Sequence, residues 1–151
     1  MKLTPFVCFI AFFTGMISHA QVLEIYSNDG KESYIGCLTC PASDNKSIWN
    51  HHGTYGNLYS KNSIWNKYGI YGDKESNFSP WNIDAEKPPI IKKDGKVYGY
   101  FTLNKFIGER VEINLTKMLY DYYMDIREDV SKWADSPEKL KPKKEEIVEK
   151  K

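Results

Sequence analysis

Apolar and polar residues alternate along two short stretches near the start of the chain. The alternation covers residues 22–26 and returns at residues 33–38, a period of two that is typical of β-strands with one buried face. Between them lies Asn28-Asp29-Gly30, a turn signal, because these residue types accept the backbone angles of tight turns. The pattern therefore predicts a β-hairpin at this end of the domain.

A second hairpin is predicted after the chain break at Pro88-Pro89. Residues 90–93 lead into Asp94-Gly95, a dipeptide typical of two-residue hairpin turns, and residues 97–102 form the return strand. Beyond Asn114 the apolar residues recur at steps of three and four, which predicts an amphipathic helix. Its apolar stripe consists of Leu115, Met118, Leu119, Tyr122, Ile126, Val130 and Trp133.

Both ends of this helix carry recognisable signals. We expect Asn114 or Thr116 to cap its start and Asp135-Ser136-Pro137 to end it. The remaining segment, residues 135–151, is rich in lysine and acidic side chains and poor in apolar ones. Such a segment buries too little apolar surface to order itself, so we expect a charged tail that is disordered or a frayed helix.

The centre of the chain is a repeat with a spacing of sixteen residues. Trp49, Trp65 and Trp81 each stand in a Ser-x-Trp-Asn frame, and residues 47–62 agree with residues 63–78 at eight of sixteen positions. Glycines follow the first two frames and exclude long regular helices or strands. We expect each unit to be one helical turn, capped by its serine, plus one loop.

Two units and a fragment fall short of the three or more that a free-standing solenoid needs. We therefore expect the repeat to pack against the hairpins and the helix. Together the elements predict an α+β fold in which two β-hairpins flank a short Trp/Tyr/Gly repeat segment at residues 47–82, with a C-terminal amphipathic helix. These elements form a single globular domain at residues 21–134.

The repeated aromatic residues allow two interpretations. In the first, equivalent tryptophans fill equivalent holes in the core, and we favour this for the tryptophans. In the second, exposed rings stack on sugar rings while neighbouring asparagines bond their hydroxyls. The tyrosines of the repeat, including Tyr59 and Tyr68, fit a surface or groove position equally well. The candidate ligand platform consists of Trp49, Tyr55, Trp65, Tyr71, Trp81, Asn50, Asn66 and Asn82.

Cys37 and Cys40 form a close pair in a Cys-x-x-Cys motif. In an oxidising compartment such a pair forms a disulfide, which is the interpretation we favour. A redox-active dithiol remains an alternative, as does half a metal site completed by His51 or His52. Neither alternative finds further support in the sequence, so no cofactor is predicted.

The first twenty residues have the layout of a secretory signal peptide. An apolar stretch at residues 6–13 follows Lys2, and Ser18-His19-Ala20 places small residues where signal peptidase reads, so cleavage is expected before Gln21. The rest of the chain then holds 20 basic and 20 acidic residues. This neutral balance gives no argument for binding nucleic acid, and no membrane insertion is expected after cleavage.

The repeat units also resemble a family of small bacterial proteins, many of them exported. The resemblance rests on the Ser-Ile-Trp-Asn-x-x-Gly-x-Tyr-Gly units, the closing Ser79-Pro80-Trp81-Asn82 and the later Tyr-Gly-Tyr-Phe-Thr-Leu-Asn, and it covers residues 22–106. It implies no established activity. His51-His52 departs from the family pattern, and the helix and tail lie outside the resemblance.

Groups that carry catalytic chemistry are weakly represented. Cys37 with His51 resembles a nucleophile and base, and Asp84 with Glu86 resembles a carboxylate pair, but solvated loop positions are the simpler interpretation. We therefore predict an exported protein, periplasmic or extracellular, that is a non-enzymatic binding or interaction module of the cell envelope. Its partner would be envelope glycan or an envelope protein. The alternatives are a structural or accessory envelope protein without a small ligand, and a hydrolase or thiol-redox enzyme.

Overall fold

Four short strands make one antiparallel sheet in the computed structural model of this chain, which describes residues 21–134. The strands are β1 (Leu23–Tyr26), β2 (Tyr34–Cys37), β3 (Ile90–Lys93) and β4 (Lys96–Tyr100). Their order in the sheet is β2-β1-β3-β4, so both predicted hairpins are present. The hairpins join through β1 and β3, where Ile25 lies opposite Ile91 and both side chains are fully buried.

The second hairpin turns at the predicted dipeptide. Asp94 and Gly95 have φ angles of 51° and 75°. Positive φ at both central residues is the requirement of the hairpin turn that follows the natural twist of the strands, and Asp-Gly meets it at little cost. The local sequence therefore favours this connection.

Two helices follow the sheet. The first, α1 (Asn114–Glu128), carries the predicted apolar stripe, of which Leu119 and Ile126 are fully buried. The helix is interrupted at Asp129, and the apolar stripe continues beyond it in α2 (Val130–Trp133). The Asp129 side chain accepts a hydrogen bond from the Ser131 N–H at 3.1 Å, which caps the start of α2. The expected end at Asp135-Ser136-Pro137 lies outside the described residues, as do the signal peptide and the charged tail.

The predicted cap of α1 is wrong. The residue that precedes the first turn is Ile113, which has no side chain able to cap it, and Asn114 is already helical. The Thr116 hydroxyl lies within hydrogen-bond distance of the carbonyls of Val111 (2.8 Å) and Ile113 (3.1 Å), which share its one proton. The start of α1 therefore has no side-chain cap, and the buried Thr116 instead holds the segment that leads into the helix.

The repeat segment lies between β2 and β3 in the chain and packs against both the sheet and α1. One hydrophobic core contains side chains from all three parts, including Ile35 of the sheet, Trp65 of the repeat and Leu119 of α1. The α+β class is therefore confirmed, and so is the expectation that the repeat does not stand alone. Within residues 21–134, no helix has the length and apolar character to cross a membrane.

Candidate functional site

Residues 44–85 run as a succession of three-residue turns, each of which we call a triplet. At every triplet except the one that begins at Asn82, the backbone N–H of the first residue donates to the carbonyl of the first residue one triplet earlier. Thus the Ser63 N–H donates to the Ser60 carbonyl (3.1 Å), and the Asn66 N–H donates to the Ser63 carbonyl (3.3 Å). This regular pattern replaces the helical turn plus loop that we expected for each unit.

A second hydrogen bond, made by a side chain, stabilises most of these turns. The first residue of a triplet accepts a hydrogen bond from the backbone N–H of the third, as Ser63 does from Trp65 (3.1 Å) and Asn66 does from Tyr68 (3.0 Å). Serine, asparagine and aspartate favour such turns because their short side chains reach the backbone two residues on. Eleven first residues form this bond: Asp44, Ser47, Asn50, Asn57, Ser60, Ser63, Asn66, Asp73, Ser76, Ser79 and Asn82.

Five triplets and one closing glycine make a sixteen-residue unit, which we call a coil; residues 57–72 form the central coil. The closing glycine is Gly56 or Gly72, and it lies where the backbone passes closest to itself. A Cβ atom at Gly72 would lie 2.2 Å from the Asn66 carbonyl oxygen, and one at Gly56 would lie 2.2 Å from the Asn50 carbonyl oxygen. Glycine is required at these two positions because no side chain fits between the two stretches of backbone.

Stacking of the coils brings the three tryptophans into one buried column. Trp65 has no exposed surface, and Trp81 and Trp49 are only 1% and 2% exposed. The ring centroids of successive indoles are 6.0 and 5.5 Å apart. The Trp65 indole N–H donates to the Ile48 carbonyl (2.7 Å), and the Trp81 indole N–H donates to the Ile64 carbonyl (2.6 Å). These two indoles therefore bond their coils to the preceding one, while the Trp49 indole N–H donates to the Leu38 carbonyl (2.9 Å) beside the sheet.

The asparagines beside the tryptophans use both ends of their amides inside the coils. In the central coil, the Asn66 Nδ2 donates to the Ser60 carbonyl (3.1 Å), while Oδ1 accepts from Tyr68. Asn50 and Asn82 make the equivalent pairs of bonds. All three side chains therefore hold the turns together.

The two remaining tyrosines of the candidate platform pack against the first hairpin. Tyr71 is 6% exposed and donates its hydroxyl to Asp29 (3.1 Å), and burial raises the pKa of that phenol. Tyr55 is half-buried, with its ring edge-on to Tyr34 at 5.0 Å. A ligand platform requires exposed ring faces. The structure encloses the three indoles and Tyr71 and half-buries Tyr55, so these residues serve the core.

Cys37 and Cys40 are joined by a disulfide, with their Cα atoms 5.4 Å apart. Cys37 ends β2 and is fully buried, and its carbonyl accepts the Ile48 N–H at 3.1 Å. The bridge therefore closes the turn that carries the chain from the sheet into the first coil. It also occupies the sulfur that a Cys37–His51 catalytic pair would need as a thiolate.

The other groups considered for chemistry are exposed. His51 and His52 stack on each other with ring centroids 3.8 Å apart, and Asp84 and Glu86 lie on the solvent-facing side of the last turns. Within residues 21–134, no three histidine, cysteine, aspartate or glutamate side chains are grouped closely enough to hold a metal ion.

A groove lies between the central coil and α1, and we call it the tyrosine groove. It encloses about 330 Å³. Its two most prominent side chains, Tyr59 and Tyr68, are 86% and 80% exposed, and Met124 of α1 is 58% exposed on the opposite wall. The complete lining is Leu58, Tyr59, Trp65, Lys67, Tyr68, Met124, Arg127 and Glu128.

Arg127 fixes the distance between the two walls of this groove. Its Nη2 donates to the Gly72 carbonyl at 2.6 Å, and its guanidinium lies 5.6 Å from the centre of the Tyr123 ring. Burial lowers the pKa of Arg127, although an arginine remains charged at neutral pH. The bond ties α1 to the point where the central coil closes. Both walls are therefore parts of one packed structure.

The backbone under both exposed tyrosines is equally well fixed. Each tyrosine is the third residue of a triplet, and its N–H donates to the first residue: Tyr59 to Asn57 (2.8 Å) and Tyr68 to Asn66 (3.0 Å). On the surface, the Lys67 ammonium lies 5.0 Å from the centre of the Tyr68 ring. The turns present the two side chains outward from defined positions.

Comparison with known proteins found no matching family model, no similar curated protein and no similar solved structure.

The sixteen-residue period alone does not distinguish Tyr59 and Tyr68, which are exposed, from the other tyrosines of the repeat, which are wholly or partly buried. A second, shorter period in the sequence does distinguish them. A polar or small residue at every third position marks the triplets, and Tyr59 and Tyr68 then fall on positions whose equivalents one coil away are all polar. The contribution of Met124 and Arg127 depends on how α1 packs and has no counterpart in the repeat.

Proposed function

We propose that this protein is an exported, non-enzymatic binding module of the cell envelope, and that the tyrosine groove is its binding surface. The resemblance to small exported bacterial proteins agrees with this assignment. The observation that carries the proposal is a pair of highly exposed tyrosines, in one groove, at positions where the repeat itself requires no aromatic residue.

An internal comparison supports this point. The residues sixteen positions before and after Tyr59 are Ser43 and Glu75, and those around Tyr68 are His52 and Asp84. All four are exposed, and the turns of His52, Glu75 and Asp84 form in the same way as those of the central coil. Ser43 lies in a turn that begins at Pro41 and is closed by the backbone alone. The turn is made by the first residue of the triplet and by the backbone, so the fold accepts polar side chains at these places.

The exposed apolar surface in the groove also supports a binding function. Single exposed aromatic residues are common on proteins, but a cluster of them in a concave site is typical of a binding surface. Tyr59 and Tyr68 face Met124, an exposed apolar side chain on α1, across the groove. A ligand that covers these three side chains would remove their apolar surface from water.

Export is supported by the disulfide between Cys37 and Cys40, because disulfides persist in oxidising compartments. We expect secreted material to begin at Gln21. N-terminal sequencing or the intact mass of protein collected outside the cytoplasm measures this directly. Secreted protein that still contains residues 1–20 would contradict the assignment of a cleaved signal peptide.

Binding is tested with the purified chain that starts at Gln21 and with washed envelope from the producing cells. Saturable co-sedimentation is expected. The Tyr59→Ala/Tyr68→Ala double variant should bind roughly five- to 150-fold more weakly, since each of the two aromatic contacts contributes roughly 0.5–1.5 kcal/mol. Tyr98→Ala is the matched control, because Tyr98 is exposed on β4 and does not line the groove.

Two results would contradict the proposal. One is the absence of saturable binding to any envelope fraction, which would favour the structural or accessory alternative. The other is binding that the double variant retains in full, which would place the binding surface elsewhere. Unfolding curves of all variants, measured in parallel, show whether a lost interaction reflects the groove or the fold.

A further inference from the structure

We infer that the tyrosine groove binds a saccharide chain, an inference that rests on the proposed binding function. A sugar ring has faces of C–H groups and an edge of hydroxyls. Tyr59 and Tyr68 offer the matching combination, an aromatic face and a phenolic hydroxyl. Both rings are almost fully exposed, so their faces are available for stacking.

The charged side chains of the groove fit a neutral ligand that both donates and accepts hydrogen bonds. Lys67 supplies an ammonium donor, and Glu128 supplies carboxylate acceptors; both side chains are exposed and belong to opposite walls. Arg127 already uses one of its donors, Nη2, on the Gly72 carbonyl. A sugar hydroxyl acts as donor and as acceptor, and so it can use both walls, whereas an apolar ligand would use neither.

The backbone of the groove argues against binding a peptide by strand addition. Strand addition requires unpaired backbone N–H and C=O groups along an edge. Here the N–H groups of Tyr59 and Tyr68 are already bonded to the side chains of Asn57 and Asn66.

The volume of the groove agrees with a short ligand segment. At about 330 Å³ it lies near the lower end of the range of ligand pockets, roughly 300–1,000 Å³. It is also open to solvent on the side of the two tyrosines, which leaves the ends of a bound chain free to continue. We therefore expect recognition of a few sugar units within a longer glycan rather than of a free monosaccharide.

The test is isothermal titration of the chain starting at Gln21, with its disulfide intact. The probes are chitotetraose, cellotetraose, peptide-free glycan strands from peptidoglycan, and a decamer of proline. We expect at least one saccharide to bind, and its monosaccharide to bind more weakly. Tyr59→Ala and Tyr68→Ala should each weaken binding by up to about tenfold. Tyr68→Phe keeps the ring and should retain most of the affinity, and Tyr98→Ala should change nothing.

Three results would overturn the saccharide assignment. If no saccharide binds while envelope binding still depends on Tyr59 and Tyr68, the ligand class is wrong and the proposed binding function stands. If the proline decamer binds at the tyrosines and the saccharides do not, the groove recognises a peptide. If a saccharide binds equally well to both alanine variants, it binds at another site. Failure of tyrosine-dependent envelope binding itself would instead reject the proposed function.

Discussion

The inner and outer surfaces of the coils differ in how strictly their residues repeat. Inside, the same residue returns each time, as Trp49, Trp65 and Trp81, and each is at most 2% exposed. Outside, the tyrosines of the central coil alternate with serine, histidine and acidic residues in the coils on either side. The positions that repeat hold the fold, and the positions that differ are free to serve binding.

The physical reason lies in what each side chain meets. An inward side chain fills a hole whose shape is set by the coil above and below it, and its N–H bonds a carbonyl of the preceding coil. The outward side chains of Tyr59 and Tyr68 fill no such hole, because the turn beneath each is closed by the first residue of its triplet. The inward residues therefore contribute more to stability than the outward ones.

Removing the central indole should have the largest effect. Truncation of a buried tryptophan to alanine costs about 3–5 kcal/mol, against a total stability of roughly 5–15 kcal/mol for a typical domain. Trp65→Ala also leaves the Ile48 carbonyl without its partner. We expect a sharp fall in the free energy of unfolding, measured with chemical denaturant.

Phe106→Ala is the control for that experiment, because Phe106 is an aromatic residue that is 95% exposed. It should change stability by no more than about 0.5 kcal/mol. Equal stability of the Trp65→Ala variant and the parent would show that the tryptophan column does not hold the coils together.

A substitution at Gly72, where the central coil closes, should cause the next largest loss of stability. Gly72→Ala places a Cβ atom 2.2 Å from the Asn66 carbonyl oxygen, so the backbone must shift. We expect a loss of about 1–3 kcal/mol, the usual cost of overpacking. Gly108→Ala makes the same chemical change where no atom lies within 4 Å and should be nearly neutral. Similar unfolding midpoints for the two variants would argue against the close approach.

The disulfide contributes a smaller amount. It closes a loop of only four residues, and the chain-entropy model gives about 2 kcal/mol for a loop of that length. Dithiothreitol should lower the unfolding midpoint of the parent accordingly. It should leave the Cys37→Ala/Cys40→Ala variant unchanged. Two free thiols, detected by alkylation and mass spectrometry of protein kept under oxidising conditions, would contradict the bridge.

Much of the fold follows from local pattern. Alternation predicted the hairpins, the Asp94-Gly95 turn was recognised as such, and the helical stripe and the burial of the tryptophans were expected. The pairing of β1 with β3 was not predicted, since the strands are far apart in sequence and packing decides their register. The break at Asp129 was missed for a related reason: the apolar stripe continues through it into α2.

The site was harder to predict than the fold. The sixteen-residue period drew attention to the residues that repeat, such as Trp65 and Asn66, and these serve the core. The candidate groove depends on residues that do not repeat and on the position of α1, which brings Met124 and Arg127 opposite the two tyrosines. Those relations are tertiary, and no spacing along the chain encodes them.

Replacing both outer tyrosines should have the smallest effect on stability, and it tests most directly whether inner and outer residues have different roles. The variant Tyr59→Ser/Tyr68→His gives the central coil the residues that the preceding coil has at Ser43 and His52. If the outer tyrosines serve binding and not folding, its free energy of unfolding should lie within about 0.5 kcal/mol of the parent. A loss of about 2 kcal/mol or more would show that the tyrosines hold the fold and would contradict the division between inner and outer surfaces.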